Sequence, residues 1–596
     1  MKAKTKNNTK KLGSELIVDF LSEKKITHVF DLTGGMITYL EDAISRKKGI
    51  ECVPMHHEQA AGFAAEGYAR KSQNFGVAIA TSGPGATNLL TAIGSCYFDS
   101  TPSMFIIGQV HTESLKKNNQ VRQEGFQETD IVNIVETLTK YAVLVKDINN
   151  LMYEIEKAYF IMSSGRFGPV LIDVPIDIQR TEIDTRDIKH FFGSKEHKKM
   201  EAENKKFTQS IKVQKVRALE KAIHKAKAPL VLVGNGVRLS NTSKELSAFL
   251  KRNNLPAVSS LMGLDSCEHS NNYVGYIGSN GNRDANIVFA NADLVIALGT
   301  RLDVRQVGHA KFFNPKTILM HVDIDKSSIN YTVKSEISFE TDLKTFFEET
   351  KSITTEAKSK WLNFITLIKK EHGRAFEYST KVNPNTFLHE LSLIAPKNST
   401  ISVDVGQNQM WCAQSWKIKS GQRLLFSGGM GAMGFSLPVA IGAWYADKKS
   451  SPIVICGDGG IQINIQELET VSRNRIPMKL FIINNKSLGM VREFQNLYFN
   501  KNYQSSVTGY GYPDFKKIAD AYNFDYVCIS ELKKNSMLLE KVLASNGPVL
   551  IEVDIDIEAP LHPRVVYGRA LDDQAPYLSA EQVDYLEKIK SELHAV

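Results

Sequence analysis

Two stretches, Ile453-Val454-Ile455-Cys456-Gly457-Asp458-Gly459-Gly460 and Leu480-Phe481-Ile482-Ile483-Asn484-Asn485, decide how this chain is built. Each is a run of four apolar residues that stops at glycine or asparagine. Such a short run, bounded by turn residues, reads as a strand buried on both faces, the habit of parallel sheets. The 27 residues from Asp458 to Asn485 span one strand-helix-strand unit, so both runs end at the same carboxyl edge. There, glycines let the backbone approach a diphosphate, and a carboxylate with an amide oxygen can hold an octahedral Mg²⁺ bridging its phosphates. Either dipeptide alone would be a plain turn. Paired at strand ends, they point to a metal-diphosphate site.

Working outward, strands are expected at 400–403, 452–456, 479–483 and 548–553. An earlier series places strands at 27–30, 76–80, 103–107 and 169–174 between helices at 13–22, 59–71 and 86–96. A third series includes 229–233, 294–298 and 317–322. A polar, Lys-rich stretch over 186–206 reads as a linker, and a charged segment over 348–381 carries one amphipathic helix around 361–368. The expectation is an α/β chain of three doubly wound parallel-sheet domains at 12–185, 207–347 and 382–565. A disordered tail at 1–11 and a C-terminal extension at 566–596 flank them.

With 596 residues, the chain exceeds the roughly 250–300 that one core organises, which agrees with several domains. No apolar stretch reaches the roughly 18–20 residues a bilayer needs, and 1–11 lacks the apolar segment of a signal peptide. A net charge of +8 spread over this length implies no nucleic-acid partner. Six cysteines without zinc-ligand spacing read as reduced core residues. These observations favour a soluble, cytoplasmic protein with no membrane partner.

The chain resembles the thiamine diphosphate-dependent enzymes, whose signature is Gly-Asp-Gly followed by Asn-Asn at this spacing. Within that superfamily it is similar to the acetolactate (acetohydroxyacid) synthase catalytic subunits. His57-Glu58-Gln59-Ala60, Glu66-Gly67-Tyr68-Ala69-Arg70, Thr81 to Asn88, Gly125-Phe126-Gln127-Glu128, Gly406 to Trp411, Gly431 to Phe435 and Asn464 to Leu468 fall in that family's order. The resemblance runs from about residue 12 to 560. It implies a pyrimidine-binding first domain, a central domain like the family's flavin-binding one, and a diphosphate-binding third domain.

The resemblance also implies roles. Glu58 would share a proton with N1′ of the cofactor's aminopyrimidine, in an apolar site formed with Val53, Ala60, Ala61 and Phe63. Gly83, Pro84 and Asn88 would border the pyrimidine, Gly35 the reacting centre, and Gln127 would act beside it. Met433 would prop the cofactor in its bent form. Gln407, Asn408, Gly457, Gly459, Gly460 and Met490 would contact the cofactor, and Asp458, Asn485 and the Ser487 carbonyl would hold Mg²⁺. His56 and His57 are read as structural.

Departures gather around the substrate. Phe126 and Arg305 match the family, Arg305 as holder of a second oxo acid's carboxylate, but Ile176 stands for an expected lysine and Phe494 for a tryptophan. Thr33 replaces the proline before Gly34-Gly35. In the central domain Gly234-Asn235-Gly236, Gly299-Thr300-Arg301 and Asp323-Ile324-Asp325 fall in place, whereas Gly278-Ser279-Asn280-Gly281 replaces a Gly-Met-His-Gly segment. Relatives exist that keep this domain without FAD, so the flavin stays open. The function implied is decarboxylation of a 2-oxo acid, pyruvate foremost, with carboligation of the two-carbon unit to a second carbonyl compound. Transfer to a keto-sugar nucleotide, or simple decarboxylation, is the alternative. The implied assembly is a homodimer or homotetramer.

Overall fold

A computed structural model of the chain describes residues 9–118, 120–267, 272–309, 313–373, 382–531 and 536–594. Three six-stranded sheets organise it, each parallel throughout. The first sheet runs Glu51–Pro54, His28–Leu32, Gly76–Thr81, Ser103–Gln109, Val170–Pro175, Tyr141–Leu144. The third runs Arg423–Phe426, Ser399–Val403, Ser451–Gly457, Lys479–Asn484, Val549–Asp554, Asp525–Ile529. Numbered by their own chain order, both have the arrangement 2-1-3-4-6-5. The central sheet, from Tyr273–Tyr276 to Ile337–Glu340, has the order 3-2-1-4-5-6 found in dinucleotide-binding folds. In each sheet the order reverses beside the first strand, and a crevice opens there at the carboxyl edge.

The third sheet is the keystone. Val454, Cys456, Leu480 and Ile482 join a core shared with the first sheet, whereas Ile453, Ile455, Phe481 and Ile483 join one shared with the central domain. Burial on both faces is why these strands read as unbroken apolar runs. The first and third units also meet through two helices, Glu58–Ser72 and Ser436–Ala446, whose backbones touch. A Cβ at Gly67 would lie 2.1 Å from the Val439 carbonyl oxygen, and one at Gly442 would lie 1.8 Å from that of Ala64.

Several expectations need correction. The stretch read as a linker contains a helix, Lys195–Asn204, capped by the Ser194 hydroxyl accepting from the His197 N–H. The expected helix at 86–96 is two, Pro84–Asn88 and Leu90–Phe98, because Leu89 ends the first turn. Residues 1–8 of the expected tail lie outside the described residues, but Lys10–Leu12 pairs antiparallel with Glu182–Asp184. The amphipathic helix is Ser359–His372, and 374–381 lies outside the described residues. In the extension, helix Ala580–His594 packs Leu586, Ile589 and Leu593 against Trp361 and Phe364. Among the described residues none of the six cysteines forms a disulfide, but Cys528 is exposed and Cys52 half-buried, so only four belong to the core.

Candidate active site

At the reversal of the first sheet, four strand ends deliver one cluster. Helix Glu58–Ser72 begins at Glu58 because His57 caps it, its Nδ1 accepting from the Gln59 N–H at 3.0 Å. His56 Nε2 pairs with Glu469 Oε2 at 2.7 Å, so both histidines have structural partners. Glu58 is 7% exposed, and Asn88 Nδ2 donates to its Oε2 at 2.9 Å, which leaves Oε1 uncommitted among the described residues. A Cβ at Gly85 would come within 3.3 Å of that Oε1, so the glycine keeps the approach open. Gly83, at φ +69°, opens helix Pro84–Asn88, and a side chain there would strike Gln127 Cβ at 2.9 Å. Gln127 itself sits at φ +65°. Gly34 lies against Thr81, and open space surrounds the Cβ direction of Gly35.

The loop that lost its proline is braced by carboxyl groups. Thr33 Oγ1 donates to Glu41 Oε2 at 3.0 Å, and Glu41 in turn stands beside buried Asp31. Burial, and then the Glu41 charge, push Asp31 up to about 7.

The third sheet gathers a second cluster. Asp458 is buried beside Asn485, and Tyr510 OH donates to its Oδ2 at 2.7 Å. Burial raises this carboxyl to about 6, although the Tyr510 hydroxyl and the Asn485 N–H oppose the shift. A nearby cation would stabilise the charged form in the same way. Asn485 Nδ2 donates to Gln407 Oε1 at 2.9 Å, and the Ser487 N–H donates to Asn485 Oδ1 at 3.2 Å. Ser487 Oγ is buried with no partner among the described residues. Asn408 Nδ2 donates to the Asp404 carbonyl at 2.8 Å, and a Cβ on Gly457 would lie 3.4 Å from Asn408 Oδ1. A Cβ on Gly459 would meet Leu488 at 2.6 Å and Met433 at 3.6 Å, whereas one on Gly460 would strike Asp404. Met490 packs half-buried below, on helix Gly489–Tyr498. Among the described residues no three His, Cys, Asp or Glu side chains gather as a metal site; the expected ligand set contains a single carboxylate.

Two positioning groups were missed in the sequence. Asp404 Oδ1 accepts from the Gly434 N–H at 3.0 Å, and its Oδ2 accepts from the N–H and hydroxyl of Ser436, at 2.9 and 2.8 Å. It thereby ties the Met433 loop to the sheet. Glu467 accepts from the His56 N–H at 2.9 Å and docks the chain just before Glu58. Asp404 directly follows the expected strand 400–403 and could have been found by the logic that placed Asp458 at a strand end. Glu467 lay inside a quoted motif without a role.

The central sheet's reversal opens on a cavity of about 500 Å³. Gly236, Thr300, Arg301, Asp323 and Ile324 line it, and Phe98, Arg166, Met262 and Gly428 from outside that sheet close it. Gln306, also in its wall, has a buried Nε2 without a partner among the described residues. Arg305 lines this cavity, and no hydrogen bond joins it to either cluster among the described residues. Ile176 starts a short helix whose Asp177 accepts from Thr112. Phe126 and Phe494 are 80% and 56% exposed. Among the described residues no hydrogen bond joins Glu58 itself to Asp458, Asn485 or Gln407, although Asn464 Nδ2 donates both to Gln59 Oε1 at 3.1 Å and to the Gly434 carbonyl at 2.9 Å.

Three family profiles match the chain. They are the thiamine pyrophosphate enzyme N-terminal TPP binding domain over 11–134, its central domain over 216–350 and its C-terminal TPP binding domain over 404–553. The acetolactate synthase large subunit of Buchnera aphidicola (subsp. Acyrthosiphon pisum) is 33% identical over 575 residues, covering 94% of this chain and 98% of its own length. The isozyme 2 large subunit of Escherichia coli K12 is 32% identical, with 95% and 100% covered. The mitochondrial acetolactate synthase of Schizosaccharomyces pombe is 35% identical, with 94% and 86% covered.

Proposed function

Since the chain belongs to the thiamine pyrophosphate enzymes and, among them, to the acetolactate synthase large-subunit family, we propose that it decarboxylates pyruvate and joins the two-carbon unit to a second carbonyl compound. The observation that carries this reading is Glu58, buried, with one carboxyl oxygen held by Asn88 and the other, beside Gly85, without a hydrogen bond among the described residues. Thiamine diphosphate supplies an electron sink for the carbon that loses CO₂. Glu58 holds and passes a proton at Oε1, and the Asn88 amide fixes which oxygen does so. Gln127 and Gly35 stand at the same edge, where they can orient the reacting groups.

Magnesium fits the second cluster: a buried carboxylate, an amide oxygen and a backbone carbonyl are hard oxygen donors. Asp458, Asn485 and the Ser487 carbonyl would hold it, with Gln407, Asn408, Gly459 and Gly460 around the diphosphate. FAD suits the central cavity, whose volume lies in the range of cofactor sites and whose wall offers a backbone turn at Gly236, acidic Asp323 and the Gln306 Nε2, which has no partner among the described residues. Released flavin absorbance after denaturation would test it, and a colourless extract would remove it.

Glu58 and Asp458 belong to different domains, and as the family resemblance implies, the smallest active unit in this reading is a homodimer in which each site draws on both copies. The free cysteines suit a cytoplasmic enzyme. A second reading of the acceptor rests on Ile176 and Phe494: an apolar residue where the resemblance expects a lysine suits a larger, less anionic partner such as a keto-sugar nucleotide. The deciding assay is CO₂ release from pyruvate with and without thiamine diphosphate and Mg²⁺, followed by product analysis with each acceptor. Release that is independent of the cofactor would sink the proposal.

A further inference from the structure

The C-terminal segment reaches back to the second cluster. The Val565 N–H donates to the Ser279 carbonyl at 2.7 Å, and Gln414 Nε2 donates to the carbonyls of Asn280 and Pro563 at 2.9 and 3.1 Å. The Gly278-Ser279-Asn280-Gly281 segment therefore serves as an anchor for this strap. Anchored so, Arg564 presents Nη1 to Glu493 Oε1, with both side chains less than one-fifth exposed. Gln407 Nε2 donates to the other oxygen, Glu493 Oε2, at 3.1 Å. Gln407 Oε1 then accepts from Asn485 Nδ2 at 2.9 Å.

The order of these contacts carries chemical information. Glutamine and asparagine amides each offer a donor end and an acceptor end and could be turned either way. A carboxylate only accepts, so Glu493 forces Gln407 to turn its nitrogen toward it. The Gln407 oxygen then faces Asn485 and takes up that residue's nitrogen, so the Asn485 oxygen lies at the opposite end, where it accepts from the Ser487 N–H, while the Asn485 backbone N–H faces Asp458. Reversal anywhere along the chain would turn an N–H toward the position of a cation.

We infer that Glu493 is a positioning residue that sets the polarity of the Glu493–Gln407–Asn485 chain, with Arg564 of the C-terminal strap holding it in place. The inference rests on the reading of Asn485 as a magnesium ligand. It assigns the strap a role in metal affinity.

The test separates polarity from mere fastening. Trp411, on the helix that starts at Gln407, reports Mg²⁺ titrations at saturating thiamine diphosphate by its fluorescence. Groups that orient metal ligands typically change metal affinity by about 10–100-fold. In Glu493→Gln one oxygen must serve two donors, and the apparent Kd for Mg²⁺ is expected to rise about tenfold, with kcat at saturating Mg²⁺ changed much less. The double variant E493R/R564E keeps the ion pair but puts a donor-only group opposite Gln407, so it should bind Mg²⁺ more weakly still. Recovery of wild-type affinity in the double variant would reduce the pair to a fastener and overturn the inference. If the double variant does not fold, Glu493→Gln decides alone: wild-type affinity overturns the inference, and a tenfold loss with unchanged melting upholds it. Absence of Mg²⁺ binding by the wild-type protein would instead overturn the ligand reading beneath it.

Discussion

The first and third sheets share one strand order, yet their carboxyl edges are chemically opposite in construction. Around the first, Glu58 is a buried carboxylate facing a glycine-lined opening, and among the described residues Asn88 is the one donor bonded to it. Around the third, nearly every polar group is tied to another: Asp404 to Gly434 and Ser436, Asp458 to Tyr510, Asn485 to Gln407. The difference follows from the work proposed for each. A group that passes a proton needs a free oxygen, whereas a group that holds an ion needs every other partner fixed. The first strands make the same contrast. Asp404 accepts from Gly434 and Ser436, but Asp31 leaves Oδ1 buried and without a partner among the described residues.

That contrast can be broken most strongly at the proton. Glu58→Gln should retain thiamine diphosphate binding, because the amide fills nearly the same volume, yet lose roughly 10²–10⁴-fold in turnover. Asp458→Ala should do the converse, with Mg²⁺-dependent cofactor retention abolished in an equilibrium titration. If both variants fail in the same way, the two edges do not divide the labour. Mixing the two inactive proteins as co-purified heterodimers sharpens the point, since one site in each pair should regain both intact halves. Activity no higher than that of either parent would mean that the halves meet within a single chain.

A smaller effect is expected where the two units touch. Gly442→Val drives a side chain into the Ala64 carbonyl, and overpacking of this kind typically costs about 1–3 kcal/mol. Chemical denaturation should show a lowered midpoint; an unchanged midpoint would mean that the helices can part freely.

The mildest test is pH. Asp31 has its carboxyl raised from 3.8 to about 7 in the folded chain, so folding favours its protonated form. Its contribution to stability is full below the unfolded pKa and is lost as pH rises through about 7. Asp31→Asn should therefore match wild type near pH 4 and melt higher than wild type by pH 8. Parallel melting curves across that range would show that the brace does not titrate.

Much of this was legible because strands buried on both faces announce themselves. The runs ending at Gly457 and Asn484 could only sit inside a sheet, and the residues just beyond them could only lie at its carboxyl edge. The edge strands Tyr141–Leu144 and Asp525–Ile529 were not legible, since their half-exposed residues do not stand out from helix or loop. The helix Lys195–Asn204 hid in a charged stretch because none of its residues is fully buried, and its contacts to Phe160 and Phe191 run through the polar His197.

The sequence by itself determined which residue types stand at the strand ends, since glycine, aspartate and asparagine after apolar runs depend only on local backbone needs. It also determined the three-domain order, through the spacing of those runs. Only the tertiary structure decided that the first and third sheets share an arrangement, that Asn88 fixes one oxygen of Glu58, and that Arg564 reaches Glu493. Those contacts join residues 30, 71 and more than 400 positions apart, for the Glu58–Asn88 and Glu493–Arg564 pairs and for His56 with Glu467. No local pattern records such pairs, because the chain between them contributes only its length and the packing of the sheets chooses which side chains meet.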